Sequence, residues 1–309
     1  MRARSASQVI WHTLMNPHNR RGILTMMAAM LFFVTNDALV KLVSSQLPTP
    51  QLIFIRGAFA TLLLVLMVCF TGSWSQWRSV RTRTVPIRAL LDSAATFTYL
   101  SALFHLPLGN ATAINLAAPL FLTLLAVFFL RERVGALRWA LIVLGFTGVL
   151  LVVQPDTHGL NAYALLCVVG TLFHAGRDLM TRLVPAHVPS LLITLSTSTM
   201  VTLLSGLWTL SAPWQPVALE PLMQLGGAAF CLAIAYHLLT LSMRAGDMSV
   251  IGPFRYSGLL VALVLGYLLW GEVPNLLAWG GIALLVMAGL GLLHSQRTSR
   301  RAALDAATD

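Results

Sequence analysis

The sequence predicts an all-α integral membrane protein in which ten transmembrane helices form two inverted five-helix repeats. Three observations lead there: a succession of apolar runs of membrane-crossing length, a one-sided distribution of arginines between them, and a signature that recurs in the two halves.

Hydrophobic residues make up 57% of the chain and charged residues only 10%, against about 25% charged in a soluble domain. Crossing roughly 30 Å of hydrocarbon takes about 20 apolar residues. Runs of that kind lie at 22–43, 50–71, 86–106, 109–130, 136–153, 160–180, 189–210, 221–243, 249–270 and 276–294. They are continuously apolar, without period-two alternation. Lipid demands that every backbone polar group be bonded within its segment, so they read as helices and not as barrel strands.

Taken in order, the first run follows Arg20 and Arg21, exceeds a signal-peptide core and lacks a cleavage site, so it reads as a retained span. It carries Asn36, Asp37 and Lys41; the second carries Arg56, and the third Asp92 and Tyr99. The fourth opens on Asn110, Thr112 and Asn115 and closes on Arg131-Glu132; Gly145 and Gly148 mark the fifth. His174 lies in the sixth, Ser196 to Thr199 in the seventh, His237 in the eighth, Pro253-Phe254-Arg255-Tyr256 in the ninth, and Gly280, Gly281, Gly289 and Gly291 in the tenth. The expected organisation is a tail over 1–21, repeats over 22–154 and 159–294, and a tail over 295–309.

Alternate connections sort the basic residues. One side receives seventeen Lys and Arg (Arg2, Arg4, Arg20, Arg21, Arg78, Arg81, Arg83, Arg88, Arg131, Arg133, Arg138, Arg177, Arg182, Arg244, Arg297, Arg300, Arg301), and the other side none. Lys41, Arg56 and Arg255 fall within spans. Cytoplasmic loops collect positive charge, which places both termini in the cytoplasm and requires an even number of crossings.

The self-similarity links Gly109-Asn110-Ala111-Thr112-Ala113-Ile114, with its run to Glu132, to Gly246-Asp247-Met248-Ser249-Val250-Ile251, with its run to Glu272. Each is followed by a Gly-rich span. Five spans per copy is odd, so the copies enter the membrane from opposite sides.

On these paired signatures, and on Asn36-Asp37-Ala38-Leu39-Val40-Lys41, Phe54-Ile55-Arg56-Gly57 and Pro253-Phe254-Arg255-Tyr256, the chain resembles the drug/metabolite transporter superfamily. Over roughly residues 22–294 it is similar to the ten-span members built from two EamA-type domains, in a branch that includes bacterial riboflavin and S-adenosylmethionine uptake proteins. The resemblance implies a secondary transporter of a small polar metabolite in a bacterial inner membrane. It implies alternating access without ATP about a cavity lined by spans one to four and six to nine, with spans five and ten peripheral. Export of a metabolite, amino acid or drug is the alternative within the same superfamily. Leu259 stands where the family often has the proline matched here by Pro119.

Ionisable groups inside spans are costly, about 2.5–3.5 kcal/mol each on the insertion scale, and call for a partner or a wet cavity. By depth, Asp37 faces Arg56, and Asp92 pairs with Arg255. Either pair lines the cavity or braces helices; Asp37 and Asp92 are also candidate proton carriers. Arg255, Tyr256, Asp37, Arg56, Asp92, Tyr99, Asn115 and His237 are the candidate substrate residues, with Tyr256, Tyr99 and His237 suited to stacking on or bonding a flat ring. Trp270 reads as an interfacial anchor, Lys41 as snorkelling, Glu132 and Glu272 as helix punctuation, and His105 and His174 as packing residues.

The +10 net charge forms no continuous basic face, so no nucleic-acid partner is expected. Cys69, Cys167 and Cys231 lie in apolar runs without ligand spacing, and no cofactor or metal is expected. There is no nucleotide-binding G-x-x-x-x-G-K-[ST], and no H-E-x-x-H or G-x-S-x-G for an enzyme. The bilayer and a small molecule are the expected partners, with a homodimer through the Gly-rich spans five and ten.

Overall fold

A computed structural model describes residues 17–132, 134–154, 161–185, 187–211, 213–245 and 248–308, with side chains at 19–243 and 250–295 within those ranges. Arg2, Arg4, Arg133, Gly246 and Asp247 lie outside the described residues, as do the side chains of Arg244, Met248, Ser249, Arg297, Arg300 and Arg301.

Among the described residues, each apolar run is helical over most of its length. The helices are α1 Pro17–Val43, α2 Thr49–Phe70, α3 Thr84–Leu103, α4 Leu108–Asn115, α5 Ala118–Leu130, α6 Ala136–Val153, α7 Ala162–Leu183, α8 Ser190–Thr209, α9 Leu219–Ala245, α10 Met248–Ile251, α11 Ser257–Trp270 and α12 Leu276–Thr308. A 3₁₀ turn, Gly252–Tyr256, joins α10 to α11, and another, Ser73–Arg81, follows α2. Local chemistry sets several starts. The Asn161 Oδ1 accepts from the Tyr163 and Ala164 amides to cap α7, and Asn275 Oδ1 accepts from Ala278 N to cap α12. The fourth span breaks where Pro119, lacking an N–H, cannot bond the Asn115 carbonyl; in the ninth span Pro253, ahead of the matching Leu259, lies in the 3₁₀ turn Gly252–Tyr256.

Among the described residues, eight segments are long and apolar enough to cross a membrane. Helices α3 and α7, at 20 and 22 residues, have the length but carry charge, Arg88 and Asp92 on one and Arg177 and Asp178 on the other. Polar bonds between connections show which ends lie together. Gln51 bonds Gln215 and Gln154 bonds Asn275 at one end, here called the Lys41 end; Arg138 bonds Ser295 at the other, the Glu132 end.

The repeat is visible in the packing. Helix α1 lies on α9 and α11, and its counterpart α7 lies on α3 and α5; α2 meets its counterpart α8, and α6 meets α12. Buried Leu52, Ile53, Leu103, Ile114, Leu120 and Leu225 fill the interior, while Phe70, Phe128, Phe129 and Leu268 project outward, as lipid-facing side chains should. The expectation that spans five and ten are peripheral holds, since α6 and α12 pack mainly on each other.

That contact corrects the reason offered for a homodimer. A Cβ on Gly148 would stand 2.7 Å from the Gly281 carbonyl, one on Gly281 would stand 2.6 Å from the Gly148 carbonyl, and Gly145 and Gly291 are closed by Leu120 and Leu141. The glycines are used inside the chain, to let α6 and α12 approach; of those named, Gly280 alone has open space around it.

Candidate functional site

Polar side chains from six helices converge between the two halves. Helix α1 supplies Asn36 and Asp37, α2 Arg56, α3 Arg88, Asp92 and Tyr99, α4 Asn115, α7 His174, Arg177 and Asp178, and α9 Tyr236. On α7, His174, Arg177, Asp178 and Thr181 follow i, i+3, i+4, i+7 spacing, so one face of an otherwise apolar helix is polar.

Towards the Lys41 end, Asp37 accepts from Tyr99 Oη at 3.1 Å and from Asn36 Nδ2 at 2.9 Å. Arg56 donates to Asn36 Oδ1 over a long 3.4 Å, and its Nε, fully enclosed, has no partner. The whole Arg56 residue is 7% exposed. Asp37 and Arg56 are therefore neighbours, as their depths predict, but no ion pair within 4.0 Å joins them.

Towards the Glu132 end, Arg177 Nη1 meets Asp92 Oδ1 at 2.7 Å and Nη2 meets Asp178 Oδ1 at 2.9 Å. Arg88 is held by hydroxyls, donating to Thr181 Oγ1 at 2.8 Å and Thr197 Oγ1 at 2.7 Å. Between the clusters His174 Nδ1 bonds Asn115 Oδ1 at 2.8 Å, and its ring lies 5.7 Å from that of Tyr99. Arg56 is within electrostatic reach of Asp37, Tyr236 and Asp92, so the two clusters are electrostatic neighbours.

Several expectations are corrected. Asp92 pairs with Arg177, not Arg255; Arg255 is exposed on the 3₁₀ turn, within reach of Asp178 and His174. Tyr256 turns towards α12, where a Cβ on Gly289 would overlap its hydroxyl, so it does not point at the polar chain. His237 is exposed, and its neighbour Tyr236 faces inward against Phe33 at 5.1 Å. His174 is central, whereas His105 stacks on Tyr163 at 3.8 Å near the Lys41 end. Asn115 bonds His174 between the two clusters, and Thr197 and Ser198 of the polar run bond across to α3 and α2.

Sequence reasoning missed Arg177 and Asp178 because Arg177 was counted among loop charges, and Arg88 for the same reason; both arginines lie inside helices. A second copy of the first-span motif would have found them. Leu31, Phe32, Asp37, Lys41, Leu42 and Val43 recur as Leu172, Phe173, Asp178, Arg182, Leu183 and Val184.

At the Lys41 end, Lys41 does not snorkel. Its Nζ lies 2.6 Å from Glu272 Oε1 and donates to the Leu106 carbonyl at 2.6 Å, over the Trp270 ring at 4.7 Å. Glu272 Oε2 accepts from the Leu108 amide at 2.7 Å. A recess of about 230 Å³ opens beside it, lined by Pro107, Asn110, Gly266, Glu272 and Asn275.

The model of the EamA-like transporter family matches residues 20–154 and 161–293. The chain is 26% identical over 289 residues to a pseudopaline exporter of Pseudomonas aeruginosa, covering 90% of this chain and 98% of that one. It is 26% identical over 278 residues to an S-adenosylmethionine uptake transporter of Rickettsia felis (89% and 93%), and 29% over 214 residues to a riboflavin transporter of Rhizobium johnstonii (69% and 71%). A solved crystal structure has the same fold at a TM-score of 0.59 and 20% identity, covering 91% of this chain and 98% of that one.

Proposed function

The chain belongs to the EamA-like transporter family, and on that premise we propose that this multi-pass membrane transporter carries a metabolite with an amino-acid head group, bound between Arg56 and Asp37. The observation that carries the reading is the state of Arg56. It is buried, its Nε has no partner, and no carboxylate lies within 4.0 Å of it among the described residues. A guanidinium withdrawn from water without a counter-ion is unfavourable, and a substrate carboxylate docked on it restores the balance. Asp37, bonded to Tyr99 and Asn36 but to no cation, is the complementary acceptor for an ammonium.

Of the solutes named for the relatives, S-adenosylmethionine has such a head group, and riboflavin has neither an amine nor an acid of that kind. Tyr99, Tyr236 and His174 flank the pair and suit the remaining ring system. Export is the second reading, favoured by the 26% identity to the pseudopaline exporter over 98% of that protein's length.

Ten crossings complete the arrangement. Helices α3 and α7 fall short in hydropathy through the charges they pair with each other, Asp92 with Arg177, and paired interior charge is tolerated in a bundle. The excess of arginine in the connections at the Glu132 end supports a cytoplasmic location for that end and for both termini. The repeats over 22–154 and 159–294 are the two halves that rock about the site.

Counterflow in proteoliposomes tests the reading without regard to direction. Vesicles preloaded with unlabelled S-adenosylmethionine are expected to accumulate the labelled compound, Arg56→Gln to reduce the rate at least about tenfold, and Arg56→Lys to keep part of it. Exchange of riboflavin but not S-adenosylmethionine, or an Arg56→Gln protein at full rate, would overturn it.

A further inference from the structure

The two halves of the molecule carry the same latch in different states. Helices α5 and α11 end alike, with Arg131 at φ 55° and Gly271 at φ 66° in the left-handed conformation. The next residue is in each case a glutamate whose amide reaches back six residues: Glu132 N to Ala126 O at 3.3 Å and Glu272 N to Gly266 O at 3.1 Å. This C-cap geometry presents each carboxylate at the bundle end. Each faces a cation four residues beyond the recurrent aspartate of the opposite half: Lys41 after Asp37 for Glu272, and Arg182 after Asp178 for Glu132.

The two pairs differ in closure. Lys41 and Glu272 are 2.6 Å apart, with side chains 9% and 19% exposed, and are further locked by the Leu106 carbonyl and Leu108 amide. Arg182 and Glu132 stand at 3.9 Å with side chains 45% and 48% exposed. Equivalent residues in equivalent positions, one pair shut and dry and the other loose and wet, are what a single conformation of an inverted-repeat carrier must show if these pairs are its gates.

Resting on the transport reading and its orientation, we infer that Lys41–Glu272 is the outer gate latch and Arg182–Glu132 the inner one, made alternately. In the conformation described, the outer latch is shut. In the opposite conformation Arg182 closes on Glu132, Lys41 leaves Glu272, and the arginine–aspartate chain between them opens outward. The latches act by biasing two states: a contact made in only one of them shifts the population by its full free energy.

The test is the reactivity of Asn115→Cys, with Cys69, Cys167 and Cys231 replaced by alanine, towards a membrane-impermeant thiol reagent in right-side-out and inside-out vesicles. With both latches intact, labelling from outside is slow. Lys41→Ala and Glu272→Gln are each expected to raise the outside rate about tenfold. The exchanged pair Lys41→Glu with Glu272→Lys returns it to the slow value, which a merely misfolded variant would not do. Arg182→Ala and Glu132→Gln leave the outside rate at or below its starting value. Unchanged rates in both vesicle types with the Lys41 and Glu272 variants, or outside acceleration by all four variants alike, overturn the latch. Acceleration by Lys41→Ala confined to inside-out vesicles supports the latch and overturns the assigned orientation instead.

Discussion

Replacing Asp92 by asparagine probes a deeply buried ion pair in the bundle. Asp92 and Arg177 meet at 2.7 Å with side chains 8% and 14% exposed. Removing one member of such a pair costs about 3–5 kcal/mol, because the remaining charge is left without compensation. Here the loss is smaller, since Arg177 keeps Asp178 at 2.9 Å and asparagine still offers an acceptor oxygen, giving about 2–3 kcal/mol for Asp92→Asn. Asp178 is wetter, its side chain 28% exposed, so Asp178→Asn should cost about 1 kcal/mol. Unfolding of the purified protein in detergent, followed by tryptophan fluorescence, reads both. In a cycle with Arg177→Gln, the Asp92→Asn/Arg177→Gln double variant should be more stable than the two single losses predict, by about 1.5–3 kcal/mol. The reasoning fails if Asp178→Asn is the more damaging change, or if the cycle is additive within about 0.5 kcal/mol.

Three further outcomes follow from the same geometry. Gly148→Leu should lower stability by about 1–3 kcal/mol or more, since its Cβ would press on the Gly281 backbone, whereas Gly280→Ala, in open space, should leave the unfolding curve unchanged. Arg88→Gln loses two hydroxyl bonds that join α3 to α7 and α8 and should cost about 1–2 kcal/mol in the same assay, with Arg88→Lys recovering part. Single cysteines at exposed Ser211 and Ser75 should react from opposite faces of the membrane, Ser211→Cys from outside and Ser75→Cys from the cytoplasm; reaction of both from one face would refute the orientation.

The proton-carrier expectation divides along the same lines. Asp92 is committed to Arg177, while Asp37, bonded to Tyr99 and Asn36, has no ion pair among the described residues; in the proposed reading it is therefore the carboxylate that exchanges partners during a cycle. Asp37→Asn should therefore impair counterflow more than its modest structural load would suggest, measured at matched protein levels.

Helices and their ends were legible in the sequence, because in lipid the backbone must close its own hydrogen bonds and an apolar run of sufficient length has one solution. The runs read from Gly22 to Trp270 fall on the observed helices within about five residues, interrupted near Pro119 and Pro253, whereas α12 runs on past the tenth apolar run to Thr308, through the segment expected as a tail. The inverted repeat was legible through Glu132 and Glu272, since the left-handed cap preceding each leaves a local signature. The side-chain partners were not legible. Depth along a helix aligned Asp37 with Arg56 and Asp92 with Arg255, but depth does not say which way a helix is turned or which neighbour it packs against. Rotation of α7 brought Arg177 to Asp92 and left Arg255 exposed; rotation of α9 chose Tyr236 over His237. Lys41 found Glu272 across more than two hundred residues because the fold places α1 against α11, a proximity that no local pattern encodes. Composition and the length of the apolar runs thus determined where the chain is helical, and only the packing of those helices decided which charges meet.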